Sequence, residues 1–268
     1  MMRRVVSILL TAVAACCPAA AQSPLTKSQL EAVARLDSMT IPTPGEFFAA
    51  LDKQGQLNWS QLFQPLPLEV TSSRAQMALM LGVLIGDGYI AVEAQDSQGV
   101  KNVGKDIIRI AKKLNVSQTI IGRGNSINDF AENNDWSALR EELEATQNEA
   151  KIAMAEQKDQ DLVTLVTIGA WIRGCDAAAG YVAKNYSPQL AELLRQPAIV
   201  DFLLGQMSGL PPELLEDPLV TNVRTGLEEI RKLVSTPAGE PLSENAVGAL
   251  DGVITGLVET IGSDKEEP

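Results

Sequence analysis

Two long apolar runs, residues 76–92 and 162–182, dominate the chain, and each holds ionisable groups: Asp87 in the first, Arg173 and Asp176 in the second. A run of that length must be buried on most sides. A charge inside it then needs a partner or water, because an unpaired buried ion meets a desolvation cost of several kcal/mol. Strands are conceivable over residues 79–85 and 162–168, and with them an α/β fold. Helical spacing argues otherwise: Leu81, Leu84, Ile85, Gly88 and Val92 share one face, and Leu162, Leu165, Val166, Gly169, Ile172 and Arg173 fit a helix too. Both runs are expected to be central helices, and their charges argue against ordinary membrane spans. Glycines beside the charges would let the two helices cross closely enough for Arg173 to reach Asp87, with Asp176 as a substitute acid one turn along.

Helix signals recur around these runs. Thr26 precedes Leu30, Val33, Ala34 and Leu36, and Thr43-Pro44 leads into Phe47, Phe48 and Leu51. Val100, Val103, Ile107, Ile110 and Leu114 lie three and four apart, with Asn115 as a left-handed stop. Trp136, Leu139, Leu143, Ala150 and Met154 mark another helix. Ser187-Pro188, Gln196-Pro197 and Asp217-Pro218 punctuate three further starts, and Ser243 caps a final helix through Ile261. The expected fold is all-α, a single multi-helical domain of about ten helices around the two glycine-rich ones, with residues 22–262 as the domain and 263–268 as a charged tail. Leu81-Gly82-Val83-Leu84-Ile85 resembles Ile168-Gly169-Ala170-Trp171-Ile172 at an offset of 87 residues, too short a match to establish duplication.

The amino terminus reads as a secretory signal over residues 1–21, with Arg3 and Arg4, an apolar stretch over 5–15, and Pro18-Ala19-Ala20-Ala21 before Gln22. The expected compartment is secreted or periplasmic. The alternative is a membrane-anchored lipoprotein, because Val13-Ala14-Ala15-Cys16 resembles a lipobox in which Cys16 would carry the anchor. Cleavage after Ala21 leaves Cys175 as the only thiol, which excludes an internal disulfide and suits a small buried hydrophobe.

The chain has no histidine among its 268 residues, which excludes His-assisted hydrolases, His-ligated metal sites and a histidine pH switch. Its net charge of −12 is unsuited to nucleic acid. Lys101, Lys105, Arg109, Lys112 and Lys113 form one basic stripe. Without interleaved aromatics it reads as a solvated face neighbouring acidic Glu141, Glu142, Glu144 and Glu149.

Gly86-Asp87-Gly88-Tyr89-Ile90-Ala91 fits G-x-G-x-x-A, and Asp106 stands at the distance of a ribose-binding acid. It lies inside a helical pattern, however, where that acid should end a strand. Gly122-Arg123-Gly124-Asn125-Ser126 is a weaker phosphate loop. Close helix packing explains the glycines more simply: Gly82 and Gly86 are four apart, as are Gly248, Gly252 and Gly256. No cofactor is expected.

The residues singled out for ligand binding are Asp87, Glu93, Arg173 and Asp176; Asp96 adds to the acids near the first run. The functional expectation is a non-catalytic helical protein binding another protein or a small molecule, with no nucleic-acid partner and no transmembrane segment. The alternative is a histidine-free enzyme using Asp and Glu carboxylates, with or without a metal.

Overall fold

The computed structural model of the chain describes residues 48, 53, 57–65, 73–237 and 240–263. The signal segment with Cys16, the helices expected after Thr26 and Thr43, and the tail beyond residue 263 lie outside the described residues, apart from Phe48, which is helical and buried.

Every regular element among the described residues is a helix, as the spacing predicts, and neither run in question forms a strand. In chain order these are α1 (Trp59–Leu62), α2 (Arg74–Glu93), α3 (Ser97–Lys113), α4 (Ser117–Glu132), α5 (Trp136–Glu156), α6 (Gln160–Lys184), α7 (Pro188–Leu194), α8 (Pro197–Ser208), α9 (Pro212–Leu215), α10 (Pro218–Leu233) and α11 (Glu244–Gly262). The punctuating residues set the boundaries. The Ser187 hydroxyl accepts from the Leu190 N–H, Asp217 accepts from Leu219 and Val220, and Ser73 and Ser243 cap α2 and α11 in the same way. Asn115 leaves α3 at φ 63°, while Gln95, Asn134 and Lys158 do the same after α2, α4 and α5.

The two apolar helices, α2 and α6, cross at the centre. α3, α4 and α5 pack along one flank, and α10 and α11 along the other with α7 and α8 at the end. Because α2 and α6 are enclosed from several directions, they are apolar all round rather than along one stripe. By length and composition each is long and apolar enough to cross a membrane, with mean hydropathy of 1.6 and 1.3 over the best window, despite the charges they carry. Here those windows are 94% and 89% buried inside the protein.

The crossing rests on Gly82 and Gly169. A Cβ on Gly82 would stand 2.1 Å from the Val166 carbonyl oxygen, and one on Gly169 would stand 2.2 Å from that of Leu79. These contacts mirror each other, since Leu79 relates to Val166 as Gly82 relates to Gly169, by the same offset that links the two pentapeptides. The resemblance thus marks a local two-fold crossing. It ends one turn further on, where Arg173 stands opposite Gly86 and a Cβ at Gly86 would lie 2.9 Å from the Arg173 side chain.

The glycine trio of α11 departs from expectation. Gly248, Gly252 and Gly256 have no neighbouring atom within 4 Å of an added Cβ, so no helix packs on that face among the described residues. α11 instead buries Val247, Leu250, Ile254, Leu257 and Ile261, and the close approach is made by Gly226 of α10 against Leu257. The apolar stripe had already fixed the buried face of α11, and the glycines lie off it. At the other end, the Gln76 amide donates to the carbonyls of Ile261 and Ser263 at 3.2 and 2.8 Å, satisfying acceptors that a helix end leaves open.

Candidate functional site

The four residues singled out from the sequence fall into two separate places. Asp87, Arg173 and Asp176 meet where α2 crosses α6. Arg173 Nε donates to Asp87 Oδ1 at 2.7 Å, and Nη1 donates to Asp176 Oδ2 at 2.6 Å. Nη2 reaches the Gln64 carbonyl at 3.4 Å, just beyond α1. Asp176 Oδ1 accepts from the Thr255 hydroxyl of α11 at 2.9 Å. Side-chain exposure is 4% for Arg173, 2% for Asp87 and 17% for Asp176, so the pair with Asp87 is sealed and Asp176 touches solvent. Asp176 therefore joins the pair as a second acid.

Two carboxylates around one guanidinium leave one excess negative charge. Burial pushes the Asp87 carboxyl above its ordinary range; Arg173 pulls it back, and Asp176 adds to the rise. Asp251 of α11, close to Gly180 of α6, is also raised, first by burial and then by Asp176, with Lys184 opposing. Cys175 is a free, buried thiol whose pKa is raised strongly by burial and further by Asp176, as befits an inert core residue.

Glu93 is not gathered into this group. It stands six residues beyond Asp87, about 9 Å along the helix axis, and forms a bidentate pair with Arg140 of α5 at 2.6 and 2.9 Å. Asp96 is the N-cap of α3, accepting from the Gly99 N–H at 2.9 Å. Among the described residues, no three acidic or cysteine side chains come together in a way that could hold a metal ion.

The glycine motifs lie inside helices. Gly86 to Ala91 belong to the interior of α2, where backbone N–H groups are engaged in the helix, and Asp106 pairs with Arg109 at 2.9 Å on α3. Gly122 to Ser126 are likewise interior to α4, so neither segment is a phosphate loop. The basic stripe also has other neighbours than expected. Lys101 pairs with Glu132 of α4 at 2.7 Å, whereas Glu142 and Glu149 converge on Arg123 of α4, with both Glu142 contacts at 3.1 Å. Arg123 holds the Glu149 carboxyl below its usual range. This partly buried cluster ties α4 to α5; the spacing of Glu142 and Glu149, seven apart on one helical face, was its sequence signal.

A second feature was not singled out from the sequence. Between α2, α3 and α5 lies a cavity of about 30 Å³ walled by Leu81, Ile85, Ile107, Leu143 and Ala150, with Gly88 and Tyr89 on the α2 side and Thr146 and Gln147 on α5. Thr146 and Gln147 are both buried polar residues, and the Thr146 hydroxyl donates to the Glu142 carbonyl at 2.7 Å. The apolar pattern of α5 contains the signal: Leu139, Leu143, Ala150 and Met154 follow a helical period that skips one step, and Thr146 and Gln147 occupy it. Comparison of the chain with protein-family models, with curated proteins and with solved structures finds no match.

Proposed function

We propose that this is an exported, non-catalytic helical protein that binds a small molecule in the cavity between α2, α3 and α5. One observation carries the reading. The charged groups that resembled a site are consumed by one another: Arg173 by Asp87 and Asp176, Asp176 by Thr255, and Glu93 by Arg140. Groups so engaged hold helices together and present little free hydrogen-bonding capacity to a substrate. The cavity differs, being apolar and lined by no charged side chain among the described residues, as small-molecule sites commonly are. Export rests on the basic, apolar and small-residue succession of residues 1–21, with acylation at Cys16 as the alternative.

The test uses the full chain expressed in a bacterial host, fractionated and purified as the host releases it. Processing to an amino-terminal Gln22 in the soluble exported fraction supports export; an acylated Cys16 in the membrane fraction would establish the anchored form. The purified protein is then titrated with n-pentane while methyl resonances are followed by NMR. Saturable shifts at Ile85, Ile107 and Leu143, with the Val223 and Ile230 methyls of α10 unmoved, support the binding site. A stoichiometric tightly bound metal ion without any methyl response would shift the assignment to the carboxylate enzyme.

A further inference from the structure

The walls of the cavity are uneven. α2 packs on α3, α3 on α4, α4 on α5 and α5 on α2, so four helices make a ring around it. Among the described residues α2, α3 and α5 supply the lining, and α4 supplies none of it. Yet α4 closes the ring at the level of the cavity. A Cβ on Gly124 would stand 3.9 Å from Ile108 of α3, the chain neighbour of lining residue Ile107. On the other side Arg123 pairs with Glu142 and Glu149 of α5, which flank the lining residues Leu143, Thr146 and Gln147.

α4 is lightly held. None of residues 121–130 is buried, whereas α2, α3 and α5 each bury several side chains. Its N-cap is Val116, which offers no side-chain acceptor to the first turn. Gly122 and Gly124 lie in its first half, and a glycine inside a helix costs about 1 kcal/mol relative to alanine. The second half is tied down by the buried Ala131, whose carbonyl accepts from Ser97, and by Glu132 with Lys101. In the first half that task falls to Arg123, 20% exposed and holding both carboxylates of α5. A segment with so little buried surface is among the first to open.

Opening is also required for binding. The closed cavity measures about 30 Å³, whereas an apolar cavity that holds benzene measures about 150 Å³. Resting on the function proposed above, we propose that the first half of α4 is the gate of the cavity, latched by Arg123. It unwinds to admit a hydrocarbon group and stays parted while that group is bound.

The experiment follows amide hydrogen exchange and n-pentane binding in the purified full chain, in Arg123→Gln and in Gly122→Ala, reading binding from the Ile85 and Ile107 methyl shifts. Without ligand, amides of residues 121–126 should be less protected than those of α2, α3 and α5. Arg123→Gln loses two partly exposed ion pairs, so their exchange should quicken about fivefold to tenfold. n-Pentane should bind this variant tighter by the same factor, because the latch no longer opposes opening. Gly122→Ala, whose Cβ meets open space, should act in the opposite sense, slowing exchange and weakening binding by about fivefold. Wild-type protein saturated with n-pentane should exchange residues 121–126 faster than the free protein. Unchanged exchange in α2 and α6 checks that both variants keep the fold. If n-pentane saturates all three proteins with one affinity, the cavity binds without a gate and this inference alone is overturned. If residues 121–126 are as protected as α5 even in Arg123→Gln, the gate falls whether or not the cavity binds. If n-pentane saturates none of the three, both this inference and the binding site fall.

Discussion

Removing either partner of the buried pair should destabilise the protein, and the two losses should not add. In Arg173→Ala, Asp87 and Asp176 lose their cation in a setting where Asp87 is 2% exposed. In Asp87→Ala the guanidinium keeps Asp176 at 2.6 Å and the Gln64 carbonyl at 3.4 Å, so the loss should be smaller. Breaking one side of a buried ion pair typically costs about 3–5 kcal/mol; the upper part of that range suits Arg173→Ala and the lower part Asp87→Ala. The double mutant has no orphaned Asp87 and should cost little more than Arg173→Ala alone, giving a coupling of about 2–3 kcal/mol. Urea unfolding followed by circular dichroism measures this, with equal m-values across the four proteins as the check on two-state behaviour. At about 2–4 °C per kcal/mol for a domain of this size, each single mutant should also melt some 10 °C lower. Losses that add to within about 0.5 kcal/mol would refute the coupling and place the two side chains in independent environments.

Three further outcomes follow from local geometry. Gly82→Ala and Gly169→Ala each put a Cβ about 2 Å from a carbonyl oxygen and should destabilise by at least about 1–3 kcal/mol, whereas Gly252→Ala meets open space and should gain up to about 1 kcal/mol, as thermal melts would show. Asp251 has a folded pKa raised above its unfolded value of 3.8, so the folded state binds more protons between the two values, and its contribution to stability falls as pH rises through that window. Asp251→Asn should therefore melt higher than wild type at neutral pH and lose that advantage as pH approaches 3.8; a pH-independent difference would contradict the charge argument. With Cys175 as the only thiol of a chain cleaved after Ala21, reducing agent should leave the melting midpoint unchanged, and a drop would reveal a bridge between two copies.

Sequence reading succeeded where one physical requirement dominated. Asp87 and Arg173 were legible as a pair because an ion in an apolar helix has few alternatives to a partner, and Gly82 because a helical glycine needs a compensating contact. The same glycine argument failed for Gly248, Gly252 and Gly256, where the apolar stripe of α11 faces elsewhere and fixes the helix rotation first. Glu93 was grouped with Asp87 by proximity in sequence, but six residues turn a helix through about 600°, which leaves the two on different faces. Arg140, its partner, lies on α5, far away in sequence. Gln147 was passed over because pattern reading registers the apolar positions that recur and not the polar one that interrupts them.

Why the core carries charge at all follows from the character of α2 and α6. A helix apolar on every side can rotate about its axis, or slide by a turn, and still bury comparable surface, so hydrophobicity alone specifies its setting poorly. The glycine crossing fixes where the two helices touch, and Arg173, reaching across Gly86 to Asp87 and back to Asp176, which in turn accepts from Thr255, fixes how each is turned relative to α11. Replacing both charges by apolar side chains of similar size, Asp87→Leu with Arg173→Met, separates setting from stability. Burying two apolar side chains in place of an ion pair is often neutral or stabilising, so this double variant should resist urea at least as well as the alanine double mutant. What it should lose is a single packing arrangement: methyl resonances of Leu79, Val166 and Leu257 should broaden or double while the helical circular dichroism signal stays unchanged. One sharp set of resonances, at wild-type stability, would show that the glycine crossing alone holds the register and that the ion pair adds nothing to it.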